Sequence, residues 1–165
     1  MKTETTDRTD DRLVRAQLAD LLTWSQAHVG FEEAVKGIPA RLRGVVPQGF
    51  AHSVWDLVEH MRIAQADILD FCRNSKYREK RWPEDYWPKA HAPKSAAAWN
   101  AALVGFRRDR KAVQRMATDR EIDLVAKIPH GSGQTYLREI LLVADHNAHH
   151  VAQIIDLRRA IGIWR

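Results

Sequence analysis

The chain has 165 residues, 45% of them apolar and 28% charged, which are the proportions of one ordinary globular domain and not of a disordered or membrane protein. Its formal charge of +5 comes from basic residues interleaved with acids, as in Arg107-Arg108-Asp109-Arg110-Lys111, so solvated helix faces are expected and specific nucleic-acid binding is not. Cys72 is the only cysteine, which excludes an internal disulfide and a cysteine-rich metal site and leaves metal chemistry to histidine and carboxylates.

Residues 1–10 are polar and predict a flexible N-terminal tail ahead of a single domain over residues 11–165. The start lacks the apolar run of a signal peptide, and no later stretch approaches the roughly 20 apolar residues of a membrane span, so the expected location is cytoplasmic, with no membrane partner. Leu13, Val14, Leu18, Leu21, Leu22, Val29 and Val35 recur at helical spacing and predict a first long helix to about Lys36. Gly37, Pro39, Gly44, Pro47 and Gly49 then form a connecting loop, because proline removes a helical donor and glycine is costly in a helix interior. Ser53, with Asp56 three residues later, marks the cap of a second helix that reaches about Cys72.

Residues 74–94 read as a long loop, because Trp82-Pro83, Trp87-Pro88 and Pro93 interrupt any helical period. Trp82, Tyr86 and Trp87 are expected to fold back over the helices as anchors, in preference to acting as a substrate lid. Ser95 caps a third helix whose Trp99, Ala102, Leu103, Phe106, Val113 and Met116 form one apolar stripe ending near Thr118. The stretch from Arg120 to Ile128 is ambiguous. After the turn Pro129-His130-Gly131-Ser132-Gly133, a last helix runs from about Thr135 to Gly162, with Ile140, Leu141, Ala144, Ala148, Val151 and Ile155 on one broad side. Four main helices without alternating strand patterns predict an all-α four-helix bundle, an architecture that builds metal sites from inward-facing side chains.

His146 and His150 lie four residues apart in the last helix, so both imidazoles leave one face about one turn apart, together with Glu139, Val143, Gln153 and Leu157. His149 would pair with His146 at a spacing of three, but it points off that stripe and is the spare. Taken alone, the pair reads more readily as two half-buried histidines satisfied by backbone or water. His60 changes that balance: it shares a face of the second helix with Leu57, Ala64, Asp67 and Phe71, and an inward imidazole needs a partner. Three inward histidines suggest a shared divalent ion, Zn²⁺ or Ni²⁺, and three protein ligands leave a position open to water or substrate.

At these residues the chain resembles the DinB/YfiT-like family, whose members are proposed to be metal-dependent enzymes. The likeness covers nearly the whole chain. It rests on His28-Val29-Gly30-Phe31-Glu32-Glu33-Ala34, on Ser53-Val54-Trp55-Asp56-Leu57-Val58-Glu59-His60, and on Tyr86-Trp87-Pro88. Its most specific part runs from Gly133-Gln134-Thr135-Tyr136-Leu137-Arg138-Glu139 through Asp145-His146-Asn147-Ala148-His149-His150 to Gln153, Leu157-Arg158-Arg159 and Gly162. The resemblance implies an up-down four-helix bundle with a metal held by His60, His146 and His150. His149 stands where similar members carry Tyr or another residue, and Ala152 where a Gly is frequent.

Other chemistry-bearing residues are expected to be structural. His28 and Glu32, one turn apart on the predicted first helix, could reach the open side of the metal, but a surface or interhelical hydrogen bond is the preferred reading. His52, His91 and His130 are expected to face solvent in loops and turns. Cys72 has no nearby basic cluster to lower its pKa and is expected to be a buried thiol. Asp145 cannot face the metal from the same helix angle as its neighbour. Two functions follow: a metal-dependent enzyme that activates water or a low-molecular-weight thiol against a small-molecule substrate, of hydrolase or thiol S-transferase type, or a non-catalytic metal-bearing binding or stress-response protein. A two-fold homodimer is the expected assembly.

Overall fold

The computed structural model describes the backbone of residues 2–164 and the side chains of residues 10–164. Its elements are α1 (Lys2–Leu21), the short α2 (Phe31–Val35), a 3₁₀ turn (Ala40–Leu42), α3 (Val54–Arg73), α4 (Ala96–Thr118) and α5 (Tyr136–Ala160). The all-α bundle expected from the sequence is present, and among the described residues there is no strand. One isolated antiparallel bridge joins Lys127 to Thr135, and the ambiguous stretch at 120–128 is otherwise turns. No helix among the described residues is long and apolar enough to cross a membrane.

Local chemistry sets the helix starts. The buried Ser53 hydroxyl accepts from the Asp56 N–H at 3.1 Å while the Asp56 carboxylate accepts from the Ser53 N–H at 2.8 Å, a reciprocal box that fixes where α3 begins. Ser95 and Thr135 cap α4 and α5 by accepting from the N–H groups of Ala98 and Arg138.

The first helix departs from expectation. Instead of running to Lys36, α1 ends at Leu21, where the Thr23 N–H and hydroxyl both turn back to the Asp20 carbonyl. A separate helix restarts only after Gly30, whose backbone is extended. The polar stretch between them competes for backbone hydrogen bonds, so the periodicity that links Leu22 to Val29 and Val35 does not reflect one continuous helix. Leu13 and Val14 are exposed, and of the predicted stripe in α1 only Leu18 and, just beyond its end, Leu22 are buried. The flexible tail expected over residues 1–10 concerns a segment of which the structure describes helical backbone from Lys2 and the side chain of Asp10 alone.

Cross-helix contacts give the helix directions. Gln65 reaches the Phe106 carbonyl and Arg73 the Ala112 carbonyl, so α3 and α4 run parallel. Arg15 reaches the Ala117 carbonyl and Gln114 the Ala19 carbonyl, so α1 opposes α4; the contacts of His60 with His150 and of Gln65 with Asn147 set α5 against α3. The long loop at 74–94 is therefore a crossover that returns along α3 before α4 can begin, so the bundle is all-α but α3 and α4 do not alternate in direction as the up-down order implied by the resemblance would require. Tyr77 meets Asp67, Tyr86 meets His60, and His91 meets Asp56 in that order along it.

Two apolar clusters fill the bundle. One, around Leu57, Met61, Phe106 and Ile154, occupies the end of the bundle covered by α2; the other, around Leu18, Met116, Ile128 and Ile140, packs under α1. Between them Asn147 donates to Gln65, which donates to the Phe106 carbonyl, a buried polar layer one residue from His146. Two buried arginines close helix ends. Arg15 takes the Ala117, Asp119 and Ile122 carbonyls at and just beyond the end of α4, and Arg158 takes the Glu33 and Ala34 carbonyls of α2, so carbonyls at helix ends accept from charged donors.

Candidate metal centre

His60 sits just under two turns into α3, at a height set by the Ser53 box. It is only 2% exposed. Its Nδ1 lies 2.9 Å from the Tyr86 carbonyl. A carbonyl can only accept, so the proton is on Nδ1 and the lone pair is on Nε2. That Nε2 faces the Nε2 of His146 at 3.0 Å. The His60 ring also stacks on Trp87 at 4.0 Å and 3°, and His52 stacks on the same indole at 4.0 Å, which limits rotation of the imidazole.

His146 and His150 project from neighbouring turns of α5 with ring centroids 4.4 Å apart, and His60 lies 4.9 and 4.6 Å from them. One nitrogen from each of the three rings lies within 4.8 Å of the others, so the group could hold a metal ion. His150 Nδ1 is 2.7 Å from the Gln153 side-chain oxygen, which again leaves Nε2 for the shared space. Outer acceptors on the far ring nitrogens are the usual accompaniment of metal-ligating histidines, since they fix tautomer and orientation.

The electrostatics agree with this geometry. Burial is the main cause that pushes His146 down to about 4 and His150 down to about 3, with His60 beside His146 and His146 beside His150 adding to it. Burial also lowers His60, against the opposing pull of its bond to Tyr86. All three imidazoles are therefore neutral at pH 7, the state that has a lone pair to donate.

The rings open into a cleft of about 390 Å³ walled by Ala64, Ile68, Leu142, Trp82, Tyr86 and Trp87. A polar chamber of about 560 Å³ adjoins it and shares Asp67, Ile68, Tyr86 and Leu142 with it. Buried Asp67 accepts from the Tyr86 hydroxyl at 2.6 Å and the Tyr77 hydroxyl at 3.2 Å. Burial and this carboxylate push both phenols up, Tyr77 to about 12, so both remain donors.

The structure thus brings together His60, His146 and His150 and leaves His149 exposed at the rim, its ring 4.9 Å from that of His150. Trp87 and Tyr86 pack as expected, but Trp82 packs only along one side: its ring lies 5.3 Å from that of Tyr86 at the cleft mouth and is otherwise 69% exposed. His28 is off any helix and bonds the Val29 carbonyl, while Glu32 pairs with Arg107 and Arg110 of α4, the interhelical role preferred from sequence. Asp145 is exposed, and Cys72 is buried with its thiol pushed up to about 12, chiefly by that burial. His130 is exposed yet donates to the Phe71 carbonyl, and His91 bonds the capping carboxylate of Asp56 instead of standing free. Sequence reasoning missed the outer roles of Tyr77, Tyr86 and Trp87. The Trp-Pro pairs announced an ordered loop, but no local signal says which helix it follows.

A helical bundle with three neutral histidines turned toward one point beneath an open cleft belongs to the class of bundle proteins with a candidate divalent-metal centre. Comparison with known families narrows this: the chain belongs to the DinB superfamily, whose family model matches residues 23–154, a span that includes all three histidines. No curated protein and no solved structure matches the chain.

Proposed function

We propose that His60, His146 and His150 hold a divalent ion, Zn²⁺ or Ni²⁺, and that the chain is a metal-dependent enzyme acting on a small molecule, of hydrolase or thiol S-transferase type. The observation that carries this reading is the convergence of three uncharged imidazoles whose outer nitrogens, on His60 and His150, already have acceptors. When bound, such an ion lowers the pKa of a coordinated water or thiol and supplies a nucleophile near neutral pH. The chain's own part is to present the ligands in one tautomer, to wall the open side with Ala64, Ile68, Leu142, Tyr86 and Trp87, and to leave an entry beside Trp82 and His149. The outward-opening cleft is sized for a small substrate.

A second reading, a non-catalytic metal-bearing binding protein, is favoured by one feature: among the described residues no carboxylate hydrogen-bonds to any of the three rings. Turnover of a panel of esters, amides and thiol acceptors, with and without chelator, separates the two. Metal content by mass spectrometry tests the shared premise. About one ion per chain is expected in the wild type, with sharp loss in His60→Ala, His146→Ala and His150→Ala. Protein that cannot be loaded with either metal would refute the proposal.

A further inference from the structure

We propose that Asp67 is a positioning residue of the metal centre: by gripping the Tyr86 hydroxyl it holds the Tyr86 carbonyl against His60, and so sets the tautomer and orientation of that ligand. This rests on the metal-binding reading above and adds to it a residue outside the histidine group.

Asp67 needs a role. It is only 7% exposed, and a carboxylate so buried is costly unless it is strongly bonded. It makes no ion pair with a Lys or Arg side chain among the described residues, and its bonds come from two phenols. Seven residues beyond His60 on the same helix face, it stands about 10 Å further along α3, too far to be a ligand itself. What it can reach is the returning loop. Both donors, Tyr77 and Tyr86, belong to that loop, and hydrogen bonds to an ionised acceptor are the strong kind.

Tyr86 joins the two groups. Its side chain ends 2.6 Å from Asp67, and its main-chain oxygen lies 2.9 Å from His60 Nδ1. One residue therefore converts a side-chain anchor into a fixed position for the acceptor that dictates where the His60 proton sits. The neighbouring Trp87, stacked on the His60 ring, is placed by the same anchor. The loop is also fastened further on, where the Ser53 hydroxyl donates to the His91 carbonyl and His91 bonds Asp56, but those contacts brace α3 at its start and do not touch the ligand. Without the Asp67 grip, residue 86 keeps only its turn bond to the Pro83 carbonyl and the stacking of Trp87, and its own carbonyl is less firmly aimed at His60. His60 can then take the other tautomer, whose N–H would face the ion.

The test measures metal binding. Zn²⁺ affinity is read by chelator competition and the Co²⁺ form by its visible ligand-field bands, for wild type, Asp67→Ala, Tyr86→Phe, Tyr77→Phe and His146→Ala, each with its metal-free melting temperature. Asp67→Ala should weaken binding by about 10- to 100-fold, the range for loss of outer partners of a ligand. Tyr86→Phe keeps the ring and the carbonyl and loses only the grip; it should weaken binding about 10-fold and alter the Co²⁺ bands, with Tyr77→Phe milder because its bond is the longer one. If Asp67→Ala does not fold, Tyr86→Phe decides. Tyr86→Phe within twofold of wild type and with unchanged Co²⁺ bands overturns the positioning role, whatever happens to the melting temperature. Wild type that takes up no metal, or His146→Ala that binds as well as wild type, takes down the metal reading itself and this proposal with it.

Discussion

Two serine caps that accept the same backbone bond but differ in burial make a stringent test of the fold. Ser53 and Ser95 each accept from the backbone N–H three residues on, at 3.1 Å in both cases. Ser95 is exposed and does nothing more, so Ser95→Ala should cost only the cap, about 0.5–1 kcal/mol. Ser53 is fully buried, and its hydroxyl also donates to the His91 carbonyl at 2.6 Å. In Ser53→Ala the Asp56 N–H is left in an interior without water and the His91 carbonyl loses its donor. The cap and the second bond, at about 1 kcal/mol each, together with incomplete resolvation, give about 2–3 kcal/mol. Urea denaturation followed by far-ultraviolet circular dichroism measures both variants against wild type. Losses equal within about 0.5 kcal/mol, inside the error of the extrapolation, would show that the bond from Ser53 to the His91 carbonyl contributes nothing to stability.

Other consequences can be checked as directly. His149→Ala should keep full metal content while His150→Ala loses it; the reverse result would require a site rebuilt on the spacing of three. With chelator present, stability should be flat above pH 7 and fall as pH drops from 6.5 toward 4, because the unfolded chain takes up protons that His146 and His150, held down to about 4 and about 3, refuse. Urea midpoints across that range read this, and an unchanged slope in His150→Ala would exclude the histidine as its source. Gly44→Ala should destabilise by about 1–3 kcal/mol, since a Cβ there would lie 2.4 Å from the Ala92 Cβ and 2.8 Å from its Cα, forcing two backbones apart; a wild-type urea midpoint would contradict this. Cys72 should resist thiol reagents at pH 8 in the folded protein, its thiol being buried and raised to about 12, and should react once urea exposes it.

The sequence alone determined what local chemistry controls. The caps at Ser53, Ser95 and Thr135, the stripe from Trp99 to Met116 and the pairing of His146 with His150 all follow from periodicity and from side chains bonding their own backbone, which act over a few residues and are readable in order. The break after Leu21 was hidden because apolar spacing persists across a segment whose backbone turns away. Tertiary structure alone decided how the crossover runs. Its return beside α3 sets Tyr86 against both Asp67 and His60 and Trp87 against the His60 ring, while leaving Trp82 largely in solvent. These contacts join residues 19 and 26 positions apart, and nothing in either segment specifies the other. Helix packing chose the partners, because with α3 and α4 parallel the connecting chain must retrace the length of the helix it has just left.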